Sequence, residues 1–451
     1  MTGPEANWTA FRLGEVCQKI GSGSTPRGGG GVYATTGVAF IRSQNVLNSG
    51  FSSDGLTYLS DALAFELRNV EVAADDVLVN ITGDSVARVC QVPASVLPAR
   101  VNQHVAIVRP DPERLDPAFL RYYLIQSTVQ EELLGLASAG ATRNALTKAM
   151  LERVSVLAPQ DVQQQRVVSG MLVLLDSKIE LNRCMSQTLQ AIAQAIFKSW
   201  FVDFDPLRAL AEGMDRAEVG YRFGLPLDAL HHFASDLIDA NGQMIPTGWP
   251  LSTLGREVKS YGGLLQTGPF GSQLHASDYA DEGIPVVMPQ DMVDRRVSTN
   301  RIARIPRETA DGLKRHMLRT GDVVYSRRGD VERHARVTAR EEGWLCGTGC
   351  LLVRMGGQWP SPAYLSEVLN DQSTREWIVR HAVGATMPNL NTSILSAVPL
   401  LVPPAPLLLH FEQQVGPLVA QQEALNAEAD TLAATRDELL PRLLSGKLAV
   451  G

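Results

Sequence analysis

Several short segments of this 451-residue chain combine residue types that could support chemistry. Cys346 and Cys350, spaced C-G-T-G-C, could bind zinc, but structural zinc needs about four ligands, and no second pair or His doublet lies nearby. Buried strand thiols are therefore the favoured interpretation. Asp203 and Asp205 could hold a divalent cation, yet no further ligand at a convincing spacing completes a nuclease site. His231-His232 is interpreted as a surface pair.

Two further segments resemble parts of cofactor-binding motifs without completing them. Ser445-Gly446-Lys447-Leu448 lacks the upstream Gly and the Ser/Thr after Lys that a phosphate-binding loop requires. Pro403-Pro404-Ala405-Pro406 lacks the polar lead and the aromatic residue of a methyltransferase catalytic loop. No Ser-His-Asp order stands out, although such triads are defined by geometry. The sequence predicts a chain that is not an enzyme and binds no metal or cofactor itself.

The composition is typical of a globular protein, with 45% hydrophobic and 20% charged residues. No apolar run reaches the roughly 18 residues that would suggest a membrane span. The first residues, MTGPEANWTAFRLGE, lack the basic and apolar regions of a signal peptide. We therefore expect a cytoplasmic protein with no membrane partner, and the length suggests two to three domains.

The charge distribution is uneven along the chain. The net charge of −7 argues against a nucleic-acid partner, because phosphate binding depends on Lys and Arg. Between Arg295 and Arg340, however, thirteen Lys/Arg face five Asp/Glu, an excess of eight positive charges. A solvated charged surface and a surface that faces a polyanion are equally compatible with this window.

The chain is built from two copies of one plan. Short segments recur in the same order, and the best match pairs GATRNALTKAMLERVSVLAP (140–159) with GATMPNLNTSILSAVPLLVP (384–403), identical at eight of twenty positions. Each copy predicts a mixed α/β head, with short Val/Ile-rich strands and a helix over 116–135 or 361–381. The fold class is therefore predicted as α+β, with an internal repeat.

A long helix follows each head. From 161 to about 199 there is no Pro, and a heptad frame with Val168 at position a predicts a seam with Met171, Lys178, Met185, Ile192 and Ser199 at position d. The a row comprises Val168, Leu175, Asn182, Leu189 and Ile196. In the second copy, from about 407 to 444, the leucines seven residues apart are Leu418, Leu425, Leu432 and Leu439. About 37 residues would give a rod of roughly 55 Å. The two helices are predicted to pack on each other.

The doubled plan resembles the specificity subunit of type I restriction-modification systems over essentially the whole chain. The most specific element is Ala195-Ile196-Phe197-Lys198-Ser199-Trp200-Phe201-Val202-Asp203-Phe204-Asp205-Pro206, which is similar to the central conserved region of that family. The Gly268-Pro269-Phe270-Gly271-Ser272 segment, both Gly-Ala-Thr segments and the 439–448 segment support the resemblance.

The resemblance implies a domain plan. Residues 1–158 and 247–403 would be target recognition domains, each reading one half of a split DNA sequence. Residues 159–206 and 404–451 would be conserved spacer helices in an antiparallel coiled coil that sets the gap, and 207–246 would connect the two copies. Two modification subunits would dock on these helices, Trp200 and Phe201 included, and methylate adenine. Two restriction subunits would add ATP-driven translocation and cleavage of DNA. S-adenosylmethionine, ATP and Mg²⁺ would belong to these partner subunits.

The recognition domains would contact phosphates through Arg/Lys and base edges through Arg, Asn, Gln or Ser. Strand tips and loops supply the candidates: Arg42, Ser43, Gln44, Asn45, Thr142, Arg143 and Asn144 in the first head, and Ser272, Gln273, Gln290, Arg327, Arg328 and Asn389 in the second. For each, a turn-forming role is an equal alternative. The first head lacks a dense basic window, so shape readout or charge from partner subunits would support its binding. The alternative functions are a coiled-coil scaffold with two protein-binding heads and an unrecognised enzyme.

Overall fold

The computed structural model describes residues 7–138, 144–233, 236–240, 242–271, 273–384 and 387–447. The chain divides into two compact units, residues 1–183 with 427–451 and residues 184–426. The boundary between them falls inside each of two long helices, so that each unit contains one head and one end of both helices. No helix in the described ranges is both long and apolar enough to cross a membrane.

The first unit contains twelve strands within the described ranges. They are β1 (Trp8–Arg12), β2 (Cys17–Ser22), β3 (Val38–Ile41), β4 (Val46–Leu47), β5 (Gly50–Phe51), β6 (Thr57–Leu59), β7 (Glu71–Val72), β8 (Val77–Asn80), β9 (Val89–Gln91), β10 (Ala99–Val101), β11 (Val105–Pro110) and β12 (Ser155–Pro159). Its helices are α1 (Leu13–Val16), α2 (Asp61–Glu66), α3 (Pro117–Leu124), α4 (Ser127–Ser138), α5 (Lys148–Arg153) and the first half of α6 (Val162–Phe201).

Two four-stranded sheets form the first head. One is antiparallel, in the order β2-β11-β8-β9, and the other has the order β6-β3-β10-β7 with β3 and β10 parallel. Strand β8 is apolar on both faces: Val77 and Val79 pack with α3 and α4, whereas Leu78 packs with the second sheet. A strand buried on both faces has a continuous apolar sequence, which explains the Val-Leu-Val run.

The helix predicted over 116–135 is two helices. Asp116 caps α3 by accepting from the Phe119 backbone N–H at 2.8 Å, and Pro117 occupies the first turn. At the end of α3, the carbonyl of Leu124 accepts a hydrogen bond from the side chain of Gln130, at 2.6 Å, and not from a backbone N–H that would continue the helix. Helix α4 then begins at Ser127. The helix predicted over 361–381 is likewise divided at Asp371, which caps the second segment.

The second unit repeats the plan after a connector. Its strands are β13 (Leu237–Ala240), β14 (Gln243–Pro246), β15 (Leu251–Thr253), β16 (Leu264–Thr267), β17 (Ile284–Val287), β18 (Met292–Val293), β19 (Arg296–Val297), β20 (Ala303–Ile305), β21 (Val323–Ser326), β22 (His334–Arg336), β23 (Leu345–Cys346), β24 (Cys350–Arg354) and β25 (Pro399–Leu401). Its helices are α7 (Asp205–Ala211), α8 (Arg216–Phe223), α9 (Leu254–Ser260), α10 (Arg307–Gly312), α11 (Pro362–Asn370), α12 (Gln372–His381), α13 (Thr392–Ser396) and the first half of α14 (Ala405–Leu443).

The sheets of the two units correspond strand by strand, which confirms the internal repeat. The order β16-β24-β21-β22 matches β2-β11-β8-β9, and β20-β17-β23, with β17 and β23 parallel, matches β6-β3-β10. An arginine–aspartate pair is also repeated. Arg109 binds Asp76 through two hydrogen bonds of 2.7 and 2.8 Å, and Arg354 binds Asp322 at 2.7 and 2.5 Å. Both carboxylates are buried, so each pair fixes the strand that carries it.

The seam of α6 has a different phase from the predicted one. Leu172 and Ile179 are buried, whereas Met171 and Met185, predicted at position d, are 38% and 39% exposed. The row predicted as a does face inward: Val168 and Asn182 are buried, and Leu175, Leu189 and Ile196 are half-buried. Its partner row lies four residues further on, not three. The predicted frame places both Lys178 and Asn182 in the seam, whereas the observed frame keeps only Asn182 there and leaves Lys178 exposed.

The two long helices pack antiparallel, as predicted. In the first unit, Arg436 of α14 binds Asp176 of α6 at 2.7 Å, and Asn182 donates to Glu428 at 2.9 Å. In the second unit, Gln422 donates to Gln190 at 3.1 Å. The predicted leucine row lies in this seam, with Leu425 buried and Leu418, Leu432 and Leu439 half-buried.

An aromatic cluster joins both helices to the second head. The centroid of the Phe201 ring lies 4.8 Å from that of Tyr364, 5.2 Å from that of Phe411 and 6.1 Å from that of Trp249. Trp200 and Phe201 are 1% and 5% exposed. Both rings are therefore buried and pack inside the chain. A partner subunit could not contact these two rings in this conformation, so a docking surface on the helices would have to be formed by other, exposed residues.

Candidate nucleic-acid interface

The predicted contact residues of the second head lie at one edge of its sheets. Arg327 follows β21, and its backbone N–H donates to Gly349 at 2.9 Å while its carbonyl accepts from Leu390 at 2.8 Å. Arg328 and Asn389 form an isolated antiparallel bridge. These hydrogen bonds bring together loops that are far apart in the sequence, because the end of β21 lies beside the start of its antiparallel neighbour β24.

Two more loops complete this edge. Gly268 donates to the Cys350 carbonyl at 2.9 Å, which places the loop carrying Phe270 and Gln273 beside Arg327. Gln290 is exposed in the turn after β17, where the neighbouring Pro289 carbonyl accepts from Arg333 at 3.4 Å. The second-head edge is therefore defined by Gln273, Gln290, Arg327, Arg328 and Asn389, with Phe270. Ser272 lies outside the described residues.

Phe270 is the member of this edge that sequence reasoning missed. Its ring is 52% exposed, and the Arg327 guanidinium lies 5.8 Å from its centroid. An exposed aromatic ring beneath an arginine limits the guanidinium to few orientations. The Arg327 Nε is enclosed and has no hydrogen-bond partner among the described residues, and neither has the Asn389 side-chain oxygen. The signal in the sequence was a large aromatic residue within a Gly/Pro-rich loop, because a loop of this kind does not bury its side chains in the core.

The corresponding edge of the first head, called the first-head edge, is defined by Arg42, Ser43, Gln44 and Asn144 and is built in the same way. Arg42 donates to the Gly55 carbonyl at 2.6 Å and lies 6.0 Å from the Tyr33 centroid. Gln44 is exposed and Ser43 half-buried, and the Ser43 carbonyl accepts from Asn80 at 2.8 Å.

Asn45 has a different environment from its neighbours. It is fully buried, accepts from the Arg42 backbone N–H at 3.0 Å and donates to Ser52 at 2.9 Å. Asp291 accepts from the Met288 backbone N–H at 2.9 Å at the matching place in the second head. The side chain of Asn45 therefore holds the turn closed. This geometry fits the turn-forming role that was the alternative to a DNA contact for this residue.

The loop that carries Asn144 reaches the same edge. Asn144 is exposed, and its carbonyl accepts from Gly83 at 3.3 Å. The adjacent Thr82 hydroxyl lies 2.6 Å from the His104 ring nitrogen Nδ1, a contact between two loops that the sequence did not suggest. Thr142 and Arg143 lie outside the described residues.

Part of the positive charge of the basic window in the second head is neutralised within the protein. Arg295 binds Glu367 at 2.8 Å, Arg340 binds Glu341 at 2.6 Å and Arg336 lies 3.7 Å from Glu423. Glu367 and Glu423 lie outside the window, on α11 and α14, so a count restricted to 295–340 overestimates the free charge. The cations of the window that remain exposed and form none of these ion pairs include Arg301, Arg307, Lys314, Arg315, Arg319 and Arg328.

The segments that could have supported other chemistry have structural environments. Cys346 and Cys350 are fully buried on the consecutive strands β23 and β24, which belong to different sheets, in agreement with the strand-thiol interpretation. Burial raises the pKa of the Cys350 thiol, and the neighbouring Cys346 raises it further, so this sulfur is a poor nucleophile. Asp205 accepts from Ser199 at 2.7 Å and opens α7, which fits helix termination. Within the described ranges, no group of three or more His, Cys, Asp or Glu side chains could hold a metal ion.

Comparison with known proteins agrees with this architecture. The family described as "Type I restriction modification DNA specificity domain" matches residues 5–191. The type I restriction enzyme HindI specificity subunit of Haemophilus influenzae is 24% identical, over 98% of this chain and all of that protein. The MjaIX specificity subunit of Methanocaldococcus jannaschii is 25% identical, over 73% of this chain and 68% of that protein.

A solved structure shares the whole fold. The crystal structure of a type I restriction-modification S subunit from M. genitalium superposes with a TM-score of 0.59 at 15% identity, and it covers 97% of this chain and 96% of that one. At this identity the likeness concerns the fold alone. By the family match over residues 5–191 and the full-length relative, the chain is similar to type I restriction-modification DNA specificity subunits.

Proposed function

We propose that this chain directs a type I restriction-modification complex to a bipartite DNA target. Residues 1–158 read one half of the target and residues 247–403 the other. The helical segments 159–206 and 404–451, joined through 207–246, set the gap between the halves. Modification subunits methylate adenine within the target and bind S-adenosylmethionine, while restriction subunits use ATP and Mg²⁺. The chain supplies sequence specificity and no catalytic group.

The observation that supports this proposal most directly is the convergence of polar side chains at the second-head edge. Gln273, Gln290, Arg327, Arg328 and Asn389 come from separate loops, and each is a residue type that contacts bases or phosphates. Arginine pairs with two acceptors of guanine, and Gln or Asn pairs with adenine in the major groove. An edge of this composition, with an exposed aromatic ring, suits a DNA groove better than it suits a catalytic cleft.

The antiparallel helices fit a spacer function. Helix α6 has 40 residues, which corresponds to a length of ~60 Å. Two readers joined by a helical spacer bind the second half-site at a high effective concentration once the first is bound. Specificity for a gap of fixed length follows from the stiffness of the helices.

An apolar stripe on α6 is the proposed docking site for a modification subunit. The stripe residues follow a 4-3 spacing along one exposed side of the helix, interrupted by Lys178 and Thr188, and are Val167, Met171, Leu174, Leu181, Met185 and Ile192. Their exposed fractions range from 38% for Met171 to 72% for Leu174. A heptad-spaced apolar row outside the existing seam is the pattern that receives another helix. The partner subunit would therefore present an amphipathic helix.

Arg327→Ala tests the reading function of the second-head edge. We expect the discrimination at one position of the second half-site to fall by about 1–3 kcal/mol, or roughly 5–150-fold, because a bidentate base contact is lost. The first half-site should be read as before. The measurement is the methylation rate of the assembled complex on duplexes that carry single base changes in either half.

Arg307→Ala provides the matched control, since Arg307 is exposed in the same head but lies on α10, outside the edge. It should weaken binding to all sequences equally or leave it unchanged. If Arg327→Ala behaves like this control, Arg327 contacts phosphate or nothing, and the second-head edge does not read bases as proposed.

A further inference from the structure

A basic pocket lies at the end of the first head's antiparallel sheet that is remote from Arg42. It has a volume of about 300 Å³ and is lined by Lys19, Arg68, Glu71, Val72, Ala73 and Arg109. Lys19 lies on β2 directly opposite Arg109 on β11, and Arg68 belongs to the turn after α2. The three cations come from segments up to 90 residues apart, so no basic run in the sequence marks the pocket.

The carboxylates beside this pocket are already engaged by other arginines. Both oxygens of Asp76 accept from Arg109, and Glu71 lies 3.3 Å from Arg100. Four cations, counting Arg100, therefore surround two carboxylates, which leaves an excess of two positive charges.

Lys19 and Arg68 account for this excess. Lys19 donates to the Asn69 carbonyl at 2.8 Å, and Arg68 donates to the Phe65 carbonyl at 3.1 Å. Among the described residues, neither cation forms an ion pair. Both retain donors beyond these single bonds, since an ammonium has three N–H groups and a guanidinium five. The pocket thus combines uncompensated charge with free donors.

Burial and the crowding of positive charge both act on the pKa of Lys19. Burial lowers the pKa of Lys19, and the Arg109 guanidinium lowers it further, against the smaller opposing effects of Asp76 and Glu71. An anion placed among these groups would relieve the repulsion between them.

The second head differs at the same place. Arg354 corresponds to Arg109, because each binds the buried aspartate of its own head, Asp322 or Asp76. Each also donates to a backbone carbonyl: Arg354 to that of Met317 and Arg109 to that of Glu71. The residue opposite Arg354 is Leu264, where the first head has Lys19. The arginine–aspartate pair is therefore part of the repeated scaffold, whereas the lysine is an addition specific to the first head.

We propose that the first head binds a phosphate group in this pocket, held by Lys19, Arg68 and the outer N–H groups of Arg109. Arginine and lysine are the side chains that bind phosphate most often, and an excess of two positive charges can accept either a phosphodiester monoanion or a phosphate dianion. The phosphate would belong either to the DNA backbone or to a free phosphate-bearing molecule. The first alternative rests on the proposed function, and the second does not.

The position of the pocket is compatible with the DNA backbone. Strand β11 runs from Val105, beside the first-head edge, to Arg109 at the pocket, four residues or ~13 Å away. One DNA strand passes about four phosphates in that distance. A contact between this pocket and the DNA backbone would give the first head a local concentration of positive charge, although its sequence contains no dense run of Lys and Arg.

The test compares Lys19→Gln/Arg68→Gln with a control that removes the same charge elsewhere in the first head, Arg12→Gln/Arg153→Gln, both exposed. The full chain is assembled with its modification subunit. Acetylation of Lys19 by an activated acetate ester is followed by mass spectrometry in chloride, in inorganic phosphate at equal ionic strength, and with target DNA. The slope of log binding constant against log salt concentration is measured for all three proteins.

If the phosphate is that of DNA, target DNA slows Lys19 acetylation several-fold, and the double variant lowers the salt slope by about 2 while the control does not. If it is that of a free molecule, inorganic phosphate protects Lys19, Arg68→Gln abolishes this protection, and the salt slopes of variant and control agree. The proposal is overturned if neither DNA nor inorganic phosphate protects Lys19. A complex that shows no sequence-specific binding would contradict the proposed function, yet the inorganic-phosphate measurement would still decide whether the pocket binds phosphate.

Discussion

Replacing Phe201 with alanine should lower the free energy of unfolding of the second unit by about 3–5 kcal/mol, the largest stability effect that we expect from a single substitution in this chain. Phe201 is 5% exposed, and its ring has aromatic neighbours on α6, α11 and α14 as well as Trp249. Truncation leaves a cavity that these large rings cannot fill by small shifts. Urea unfolding of the full chain, followed by tryptophan fluorescence, measures the change.

Tyr221→Ala is the matched control, since Tyr221 belongs to the same unit and is 92% exposed. Its effect should stay within about 0.5 kcal/mol of zero. A loss of stability in Phe201→Ala no larger than in the control would show that the aromatic cluster does not hold α6 and α14 together.

The second large effect concerns assembly. Changing both Leu174 and Leu181 to glutamate should weaken binding of the modification subunit by about 10²–10⁴-fold, because burial of each leucine stabilises the complex by about 1.5–3 kcal/mol. Fold stability should change little, since the two side chains are 72% and 53% exposed. Co-purification and analytical ultracentrifugation of the chain with its modification subunit provide the measurement.

Arg183→Glu controls for charge in this experiment. It changes the net charge by −2, as the double variant does, at an exposed position of α6 outside the stripe. Equal binding by the double variant and wild type would place the partner on another surface. Loss of self-association instead of partner binding would show that the stripe receives a second copy of this chain.

The fold was predictable because its signals are local or repeated. The duplicated Gly-Ala-Thr segments, the short apolar strands and the seven-residue leucine row predicted the internal repeat and the two long helices, and the structure confirms them. The phase of the α6 seam was not predictable, because α6 carries two apolar rows. One packs on α14 and the other, with Leu174 and Leu181, stays exposed. A heptad count on one helix cannot tell which row meets its own chain.

The candidate site was predictable only in part, because tertiary neighbours decide whether a polar side chain is exposed and whether its charge is neutralised. Asn45 and Gln44 are adjacent polar residues, yet one closes a buried turn and the other is exposed. Arg295 lies in the basic window, but its charge is taken by Glu367, 72 residues away. Lys19 and Arg68 are isolated in the sequence and meet in one pocket. Long-range pairing decides each of these cases, and a single sequence does not show it.

The central claim, that each head reads one half of the DNA target, is tested most directly by exchanging one head. Residues 1–158 are replaced by the corresponding head of a relative with a different target, and the methylated motif is determined by sequencing the modified bases of host DNA. We expect the first half of the motif to change while the second half and the gap remain. If both halves change together, or if the motif is unaffected, the two heads are not independent readers of a bipartite target.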